Sequence, residues 1–235
     1  MQNRKSGLIA NLTFRRLSHY IVRFLRNTQI TPNQITAFRL ILAFSAAPFL
    51  IIGKEAYLLL GGIISAASFT FDYVDGDLAR QKQLESKTGQ LLDVLFDRIT
   101  IIILVFSLSL GLFRNTMTLF DLLLGIMIIS LLYMSEIIDT LLEKIFHSSF
   151  RDMYRLEIDS VTGFLRRLGF ESEQTNVYLF GEDFLYSLII IGIVLNVVRY
   201  ALLLLLLYTS GLVLLSIIKI LKGHMVKDVK KAQIV

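Results

Sequence analysis

Aspartates are concentrated in one short stretch of an otherwise apolar chain, where they could do chemistry together. They are Asp72, Asp75, Asp77, Asp93 and Asp97. Asp72 and Asp75 are three residues apart, and Asp93 and Asp97 are four apart, so each pair would share one face of a helix. Asp77 falls off the first face and is interpreted as solvated. If two antiparallel helices carry the two pairs, the four carboxylates face each other and form a cage of oxygen ligands.

Such a cage is suited to hard divalent cations. An ionised aspartate within a membrane span costs about 2.5–3.5 kcal/mol, so a cluster persists if a cation or protons neutralise it, or if it faces water. The chain has no cysteine and three histidines, which disfavours a Cys- or His-based metal site. Oxygen ligands are those that Mg²⁺, Mn²⁺ and Ca²⁺ prefer. Four carboxylates could hold two such ions and clamp a phosphate between them.

The elements that must position these aspartates are membrane-spanning helices. The chain is 54% hydrophobic and 18% charged, with a mean hydropathy of +0.65. Its apolar residues form blocks that have or approach the ~20 residues needed to cross a bilayer. We therefore predict an all-α membrane protein with six transmembrane helices. The last long apolar block is too long for a single crossing, so we divide it into two spans near Asn196. The predicted spans are about Gln34–Ile52, Glu55–Phe71, Gly89–Phe113, Leu119–Ile145, Val177–Leu195 and Tyr200–Leu221.

Basic residues set the predicted topology. Lys and Arg are concentrated at both ends of the chain and in the second-to-third and fourth-to-fifth connections, so these parts and the aspartates should face the cytosol. The net charge of +5 then follows from topology and does not indicate a nucleic-acid partner.

Three regions are predicted along the chain. Residues 1–32 form a cytosolic tail, whose segment Leu8–Asn27 reads as an amphipathic helix in the membrane interface, with Phe14, Leu17, Ile21 and Phe24 on one face. Residues 33–221 form the six-helix catalytic domain, with a cytosolic insert at about 147–176. Residues 222–235 form a basic cytosolic tail.

The aspartates belong to a longer pattern with small residues and one arginine. The pattern is D-x2-D-G-x2-A-R-x8-G-x3-D-x3-D, and its positions beside the four cage aspartates are Gly76, Ala79, Arg80 and Gly89. Gly76 and Ala79 would let a ligand approach the backbone, and Arg80 is suited to phosphate oxygens. This pattern resembles the signature of the CDP-alcohol phosphotransferase family at all eight positions. The segment Thr31–Thr36 (TPNQIT) also resembles one that recurs in the family before the first span.

The resemblance implies a reaction and a role for each matching residue. Family members transfer a substituted phosphate from a CDP-linked donor to an alcohol and release CMP, using two ions, Mg²⁺ or Mn²⁺. By position, Asp72, Asp75, Asp93 and Asp97 would hold the metals, and Asp97 would also act as the base on the alcohol. The nucleotide would lie against Asp72, Gly76, Ala79 and Arg80, with Asn33 and Thr36 as further candidates. The resemblance also implies a homodimer.

The two substrates are less constrained than the reaction. The donor expected for a site at the membrane margin is CDP-diacylglycerol or an ether analogue, whose lipid tail can stay in the bilayer. A phosphorylated acceptor would need a second basic cluster, for which the candidates are Arg98, Arg151, Arg155, Arg166 and Arg167. Arg199 is interpreted as snorkelling at the outer turn and is not assigned to the site.

Two alternatives remain open. TPNQIT together with DGDLARQK also resembles the branch of the family that joins CDP-inositol to inositol phosphate. A divalent-cation transporter could also carry an aspartate cluster, although transporter sites tend to lie near mid-membrane between internal repeats, and this sequence shows no repeat.

Overall fold

A computed structural model of the chain describes residues 14–146 and 182–232, and these residues are organised as α-helices. Seven helices are described: α1 (Phe14–Leu25), α2 (Pro32–Ile52), α3 (Glu55–Lys82), α4 (Lys87–Thr116), α5 (Leu119–Phe146), α6 (Glu182–Val194) and α7 (Val198–Ala232). The all-α prediction is confirmed for the described residues. The predicted break near Asn196 is also confirmed, because α6 ends and α7 begins on either side of it. The insert at about 147–176 lies outside the described residues.

Local sequence signals account for the ends of the helices that carry the site. Before α2, Thr31 and Gln34 form a capping box, in which the Thr31 N–H donates to Gln34 Oε1 at 2.9 Å, and Pro32 occupies the first turn. Gly53 ends α2 with a φ of +69°, a left-handed conformation that favours glycine. Before α4, the Gly89 N–H donates to Ser86 Oγ at 2.9 Å. These signals fix where the site-bearing helices start and stop.

The structure supports the prediction of an integral membrane protein. It does not confirm the predicted number of six spans. Within the described residues, four helical segments are long and apolar enough to cross a membrane: Pro32–Ile52, Glu55–Lys82, Leu119–Ile138 and Val198–Ile218. Phe184–Val194 is apolar but shorter. The predicted count of six spans, which also takes in much of α4, therefore stays a prediction.

Helix α1 is amphipathic, and it packs on the protein through residues other than those predicted to face the membrane interface. Val22 and Leu25 are buried and pack with Ile35, Val74 and Leu78, so α1 is attached to α2 and α3. Leu17 and Phe24, which belong to the apolar face predicted for the membrane interface, are 53% and 77% exposed, and their placement in the interface stays a prediction. The helix thus carries two apolar surfaces, one towards the protein and one exposed, because its apolar residues cover more than one stripe.

The described residues divide into two compact units. The first contains residues 14–127 and 182–205, and it holds all the described residues of the predicted site. The second contains residues 128–146 and 206–232, within which Ile128, Leu132 and Val213 are buried.

Small residues let the helices of the first unit approach closely. A side chain on Gly61 of α3 would meet Leu50 of α2, and one on Gly62 would meet Ile193 of α6. A Cβ on Gly111 of α4 would collide with the Leu50 carbonyl oxygen, so α2 and α4 touch at backbone level. The small residues from Gly61 to Ser68 therefore serve packing within the chain, and the three helices α2, α3 and α4 can converge on one site.

Candidate active site

Helices α3 and α4 bring three of the predicted aspartates together. One carboxylate oxygen from each of Asp72, Asp75 and Asp93 lies within 4.8 Å of the others. Asp72 and Asp75 stand on consecutive turns of α3, which continues without a break to Lys82. Asp93 lies in the second turn of α4, across the short connection. Asp75 is 3% exposed, whereas Asp72 and Asp93 are half-buried at the margin of the site.

An arginine from α2 occupies the centre of this cluster. Arg39 Nη1 lies 2.7 Å from Asp97 Oδ1 and also pairs with Asp72. Its Nη2 donates to Asp93 Oδ1 at 3.3 Å and to the Asp93 carbonyl at 3.2 Å. Its Nε is 3.9 Å from Asp75 Oδ2. One guanidinium group therefore faces all four aspartates, and it brings Asp97 into the same cluster.

Arg39 is held in place by the packing of α2. The Ser68 hydroxyl of α3 donates to the Arg39 carbonyl at 2.9 Å. The Arg39 side chain is only 2% exposed, and its backbone lies in the part of α2 that packs against α3. Sequence reasoning did not select Arg39, although an arginine inside an apolar span is itself a signal of function.

The cluster retains unsatisfied capacity for a cation. Arg39 brings one positive charge to four carboxyl groups, whose oxygens a divalent cation could also use. Within the described part of the chain, Asp75 Oδ2 is buried and accepts no hydrogen bond. Such groups are costly unless a partner is supplied. The donors are all carboxylate oxygens, which fit Mg²⁺ or Mn²⁺.

The start of α2 lies beside the start of α4. A Cβ on Gly89 would lie 3.5 Å from Asn33 Oδ1, and Asn33 itself is exposed. Thr36 is buried, and its hydroxyl donates to the Pro32 carbonyl at 3.0 Å. The turn before α2 is tied to the end of α3 by Lys82, whose Nζ donates to the carbonyls of Thr28 and Ile30 at 2.7 and 2.8 Å. The exposed Asn33 is thus positioned near the mouth of the carboxylate cluster.

The later motif positions lie on the last turns of α3. Gly76 and Ala79 are half-buried, and Arg80 is exposed at the surface. Arg80 pairs with Asp77, which was interpreted as solvated and is half-buried. The Asp77 side chain is only 17% exposed, and His19 Nδ1 of α1 lies 3.9 Å from its Oδ2. Helix α1 covers this aspartate, which explains its burial.

The predicted acceptor residues are only partly described. Arg98 is half-buried on α4, directly after Asp97. Arg151, Arg155, Arg166 and Arg167 lie outside the described residues.

Arg199 binds the buried Asp121, with Nε–Oδ1 at 2.8 Å and Nη2–Oδ2 at 2.5 Å, a partner that its interpretation as a snorkelling residue did not include. Thr116, at the end of α4, also donates to Asp121 at 2.6 Å. Asp97 and Thr116 are about 28 Å apart along α4, at roughly 1.5 Å per residue, so this pair belongs to the opposite end of the helix.

Comparisons with known proteins give the family and the fold of the chain. The sequence model for CDP-alcohol phosphatidyltransferase matches residues 29–149, which include Arg39 and the four aspartates. No curated protein sequence matches the chain. Among solved structures, the chain is similar to the phosphatidylinositol phosphate synthase PgsA1 of Mycobacterium tuberculosis, crystallised with CDP-DAG bound. The two share 14% identity at a TM-score of 0.62, over 86% of this chain and 92% of that one, which is a likeness of fold.

Proposed function

Because the chain belongs to the CDP-alcohol phosphatidyltransferase family, we propose that it transfers a phosphatidyl group from CDP-diacylglycerol, or an ether analogue, to an alcohol and releases CMP. The protein is a phosphotransferase enzyme of phospholipid synthesis by its family. The observation that carries the proposal is the convergence of Asp72, Asp75, Asp93 and Asp97 on one site within the family-matched residues. Membership gives the type of reaction, and the cluster supplies the groups that would perform it.

The carboxylate cluster would hold divalent cations. Asp72, Asp75 and Asp93 offer oxygens close enough to share an ion, and Asp97 would contribute to a second. When bound, Mg²⁺ or Mn²⁺ would neutralise charge on the diphosphate as CMP leaves. The all-oxygen donor set and the buried, unsatisfied Asp75 Oδ2 support this assignment.

Asp97 is the proposed general base. Its carboxylate lies at the margin of the cluster, with a side chain that is 17% exposed, so an alcohol could reach it. It would accept the hydroxyl proton as the alcohol oxygen attacks phosphorus, and CMP would depart with the bonding electron pair. For this step, Asp97 Oδ1 must be released from its contact with Arg39.

The nucleotide is proposed to lie along the last turns of α3 and the start of α2. Gly76 and Ala79 would allow close approach, and Arg80 would bind phosphate oxygens after exchanging its present partner, Asp77. Asn33 and Thr36 are proposed to contact the nucleotide from the α2 side. The position of Asn33 beside Gly89 supports a shared pocket.

The remaining assignments follow the predicted topology. The donor's lipid tails would remain in the bilayer, and the site would face the cytosol. The CDP-DAG in the PgsA1 crystal supports a CDP-lipid donor for this chain. The acceptor would be a small alcohol or phosphorylated alcohol, the latter bound by Arg98, Arg151 and Arg155. A homodimer is proposed from family resemblance.

An acceptor panel tests the substrate assignment. Purified protein would be given CDP-diacylglycerol, Mg²⁺ and one of glycerol 3-phosphate, serine, inositol or inositol 1-phosphate, and the lipid product would be identified by mass spectrometry. We expect one acceptor to yield a new phospholipid. A product formed only from CDP-inositol and inositol phosphate would replace the lipid donor with a soluble one. No product from any pair would refute the proposed transfer.

A further inference from the structure

Arg39 stands where a cation would stand among the four aspartates. Its guanidinium faces Asp72, Asp75, Asp93 and Asp97 from α2, and it is almost fully buried. Carboxylates this close repel one another when they are ionised. A fixed positive charge among them offsets that repulsion, so the helices that carry the aspartates can pack before any ion arrives.

The contacts of Arg39 also use the oxygens that an ion would need. It pairs with Asp72 and with Asp93 Oδ1, and both residues belong to the three-aspartate cluster. An ion bound by the same carboxylates would be repelled by the guanidinium, so the two positive groups cannot both hold the present contacts. The Arg39 side chain has four rotatable bonds, which allow it to withdraw while α2 stays in place.

We infer that Arg39 is a resident counter-ion of the aspartate cluster, which stabilises the metal-free enzyme and competes with divalent cations for the same carboxylates. This inference rests on the proposed metal site and adds a positioning residue to it. Without a bound ion, Arg39 stabilises the packing of the helices that carry the aspartates. It also lowers the affinity of the enzyme for the divalent cation that replaces it. Metal loading thus exchanges one cation for another, with limited change in the packing of α2, α3 and α4.

Thermal unfolding of the full-length protein in detergent tests the first part. In EDTA, Arg39→Met should lower the Tm by about 10 °C, the loss expected when one partner of a buried ion pair is removed from a chain of this size. Saturating Mg²⁺ should restore most of that loss, because the ion then supplies the missing charge. An equal loss in EDTA and in Mg²⁺ would show that Arg39 acts only by packing, and would overturn the inference.

Arg199→Met is the matched control. Arg199 also pairs with a buried aspartate, Asp121, but at the end of α4 remote from the cluster. This variant should lose the same Tm in EDTA and in Mg²⁺. Rescue of both variants by Mg²⁺ would mean a general effect of the ion, and would also overturn the inference.

Direct metal binding tests the competition. Free Mn²⁺ measured by electron paramagnetic resonance should give an apparent Kd at least about tenfold lower for Arg39→Met than for the wild type, because a nearby like charge has been removed. An unchanged or higher Kd would contradict competition. This readout needs no turnover, so a wild type that binds Mn²⁺ but releases no CMP would refute the proposed reaction and leave the counter-ion role standing.

A double variant covers the case in which Arg39→Met does not fold. In Arg39→Met with Asp97→Asn, one carboxylate charge is removed together with the cation. Its Tm in EDTA should exceed that of Arg39→Met, or it should fold where the single variant does not. A double variant no more stable than Arg39→Met would show that charge balance is not what Arg39 provides, and would overturn the inference.

Discussion

Arg39 Nη1 lies 2.7 Å from Asp97 Oδ1, so the proposed base of the reaction is paired with a cation from another helix. The two residues come from the first and third of the three helices that converge on the site, α2 and α4. The carboxylate of Asp97 is therefore oriented by its neighbour, and its availability depends on the state of the cluster. Predictions about activity, metal dependence and stability follow from this arrangement.

Replacing Asp97 by asparagine should remove the base while keeping the shape of the side chain. We expect kcat to fall by about 10²–10⁴-fold, the usual contribution of a general base, with a smaller change in KM for the CDP-linked donor. Steady-state CMP release would measure both. Glu85→Gln, in the exposed connection between α3 and α4, is the control and should keep wild-type rates. A variant with kcat within threefold of the wild type would exclude Asp97 as the base.

The metal concentration that the activity requires should depend on Asp93, one of the proposed metal ligands. Activity should vanish in EDTA and return with Mg²⁺ or Mn²⁺. Asp93→Asn replaces a charged carboxylate ligand by a neutral amide and should raise the metal concentration for half-maximal activity at least about tenfold. Titration of activity against Mn²⁺ measures this, with Glu85→Gln again as control. Full activity in EDTA, after exhaustive dialysis, would be incompatible with a metal-dependent transfer.

A side chain at position 111 should destabilise the protein, because Gly111 lies where α2 and α4 are in contact. In Gly111→Ala the new methyl group would press on the Leu50 carbonyl oxygen, and the stability should fall by about 1–3 kcal/mol, as in other overpacked sites. Gly211→Ala is the matched control, because no atom lies within 4 Å of its added Cβ. Chemical unfolding in detergent compares the two. Equal stability of the two variants would show that α2 and α4 can separate at no cost.

Lys82 should influence donor binding through the turn before α2. Its Nζ donates hydrogen bonds to the carbonyls of Thr28 and Ile30, in the turn that leads into α2. Asn33 lies in the first turn of α2, so its position depends on that preceding turn. Lys82→Met should raise KM for the CDP-linked donor by about three- to tenfold with little change in kcat, because positioning is lost and the chemistry is not. Lys87→Met, at the exposed start of α4, serves as the comparison. A fall in kcat alone would argue against this role.

The sequence predicted the aspartate cluster because its signals are local. Spacings of three and four residues place side chains on one helix face, and a short connection brings adjacent helices together. Thr31, Ser86 and Gly53 are local signals of the same kind for the ends of α2 and α4, but the predicted spans did not use them, and the second predicted span ends at Phe71 where α3 continues to Lys82.

Arg39 was missed because its partners lie 33 to 58 residues away in sequence, and only the packing of α2 selects them. The same holds for Arg199, whose partner could not be read from spacing. The Asp77–Arg80 pair has the three-residue spacing of one helix face, so only the contact of Asp77 with α1 depends on tertiary packing. Asp77 is covered by α1, which docks through Val22 and Leu25, and Arg199 pairs with an aspartate 78 residues away. In an apolar chain each buried charge has few possible partners, but tertiary contacts decide among them.

The most direct test of the proposed reaction is Mg²⁺-dependent release of CMP from CDP-diacylglycerol by the purified wild type, in the presence of the acceptor panel and beside Asp97→Asn. The account predicts release with a phospholipid product, its loss in EDTA, and its near-complete loss in the variant. Equal release by the wild type and Asp97→Asn, or none by a folded wild type that binds Mn²⁺, would contradict it.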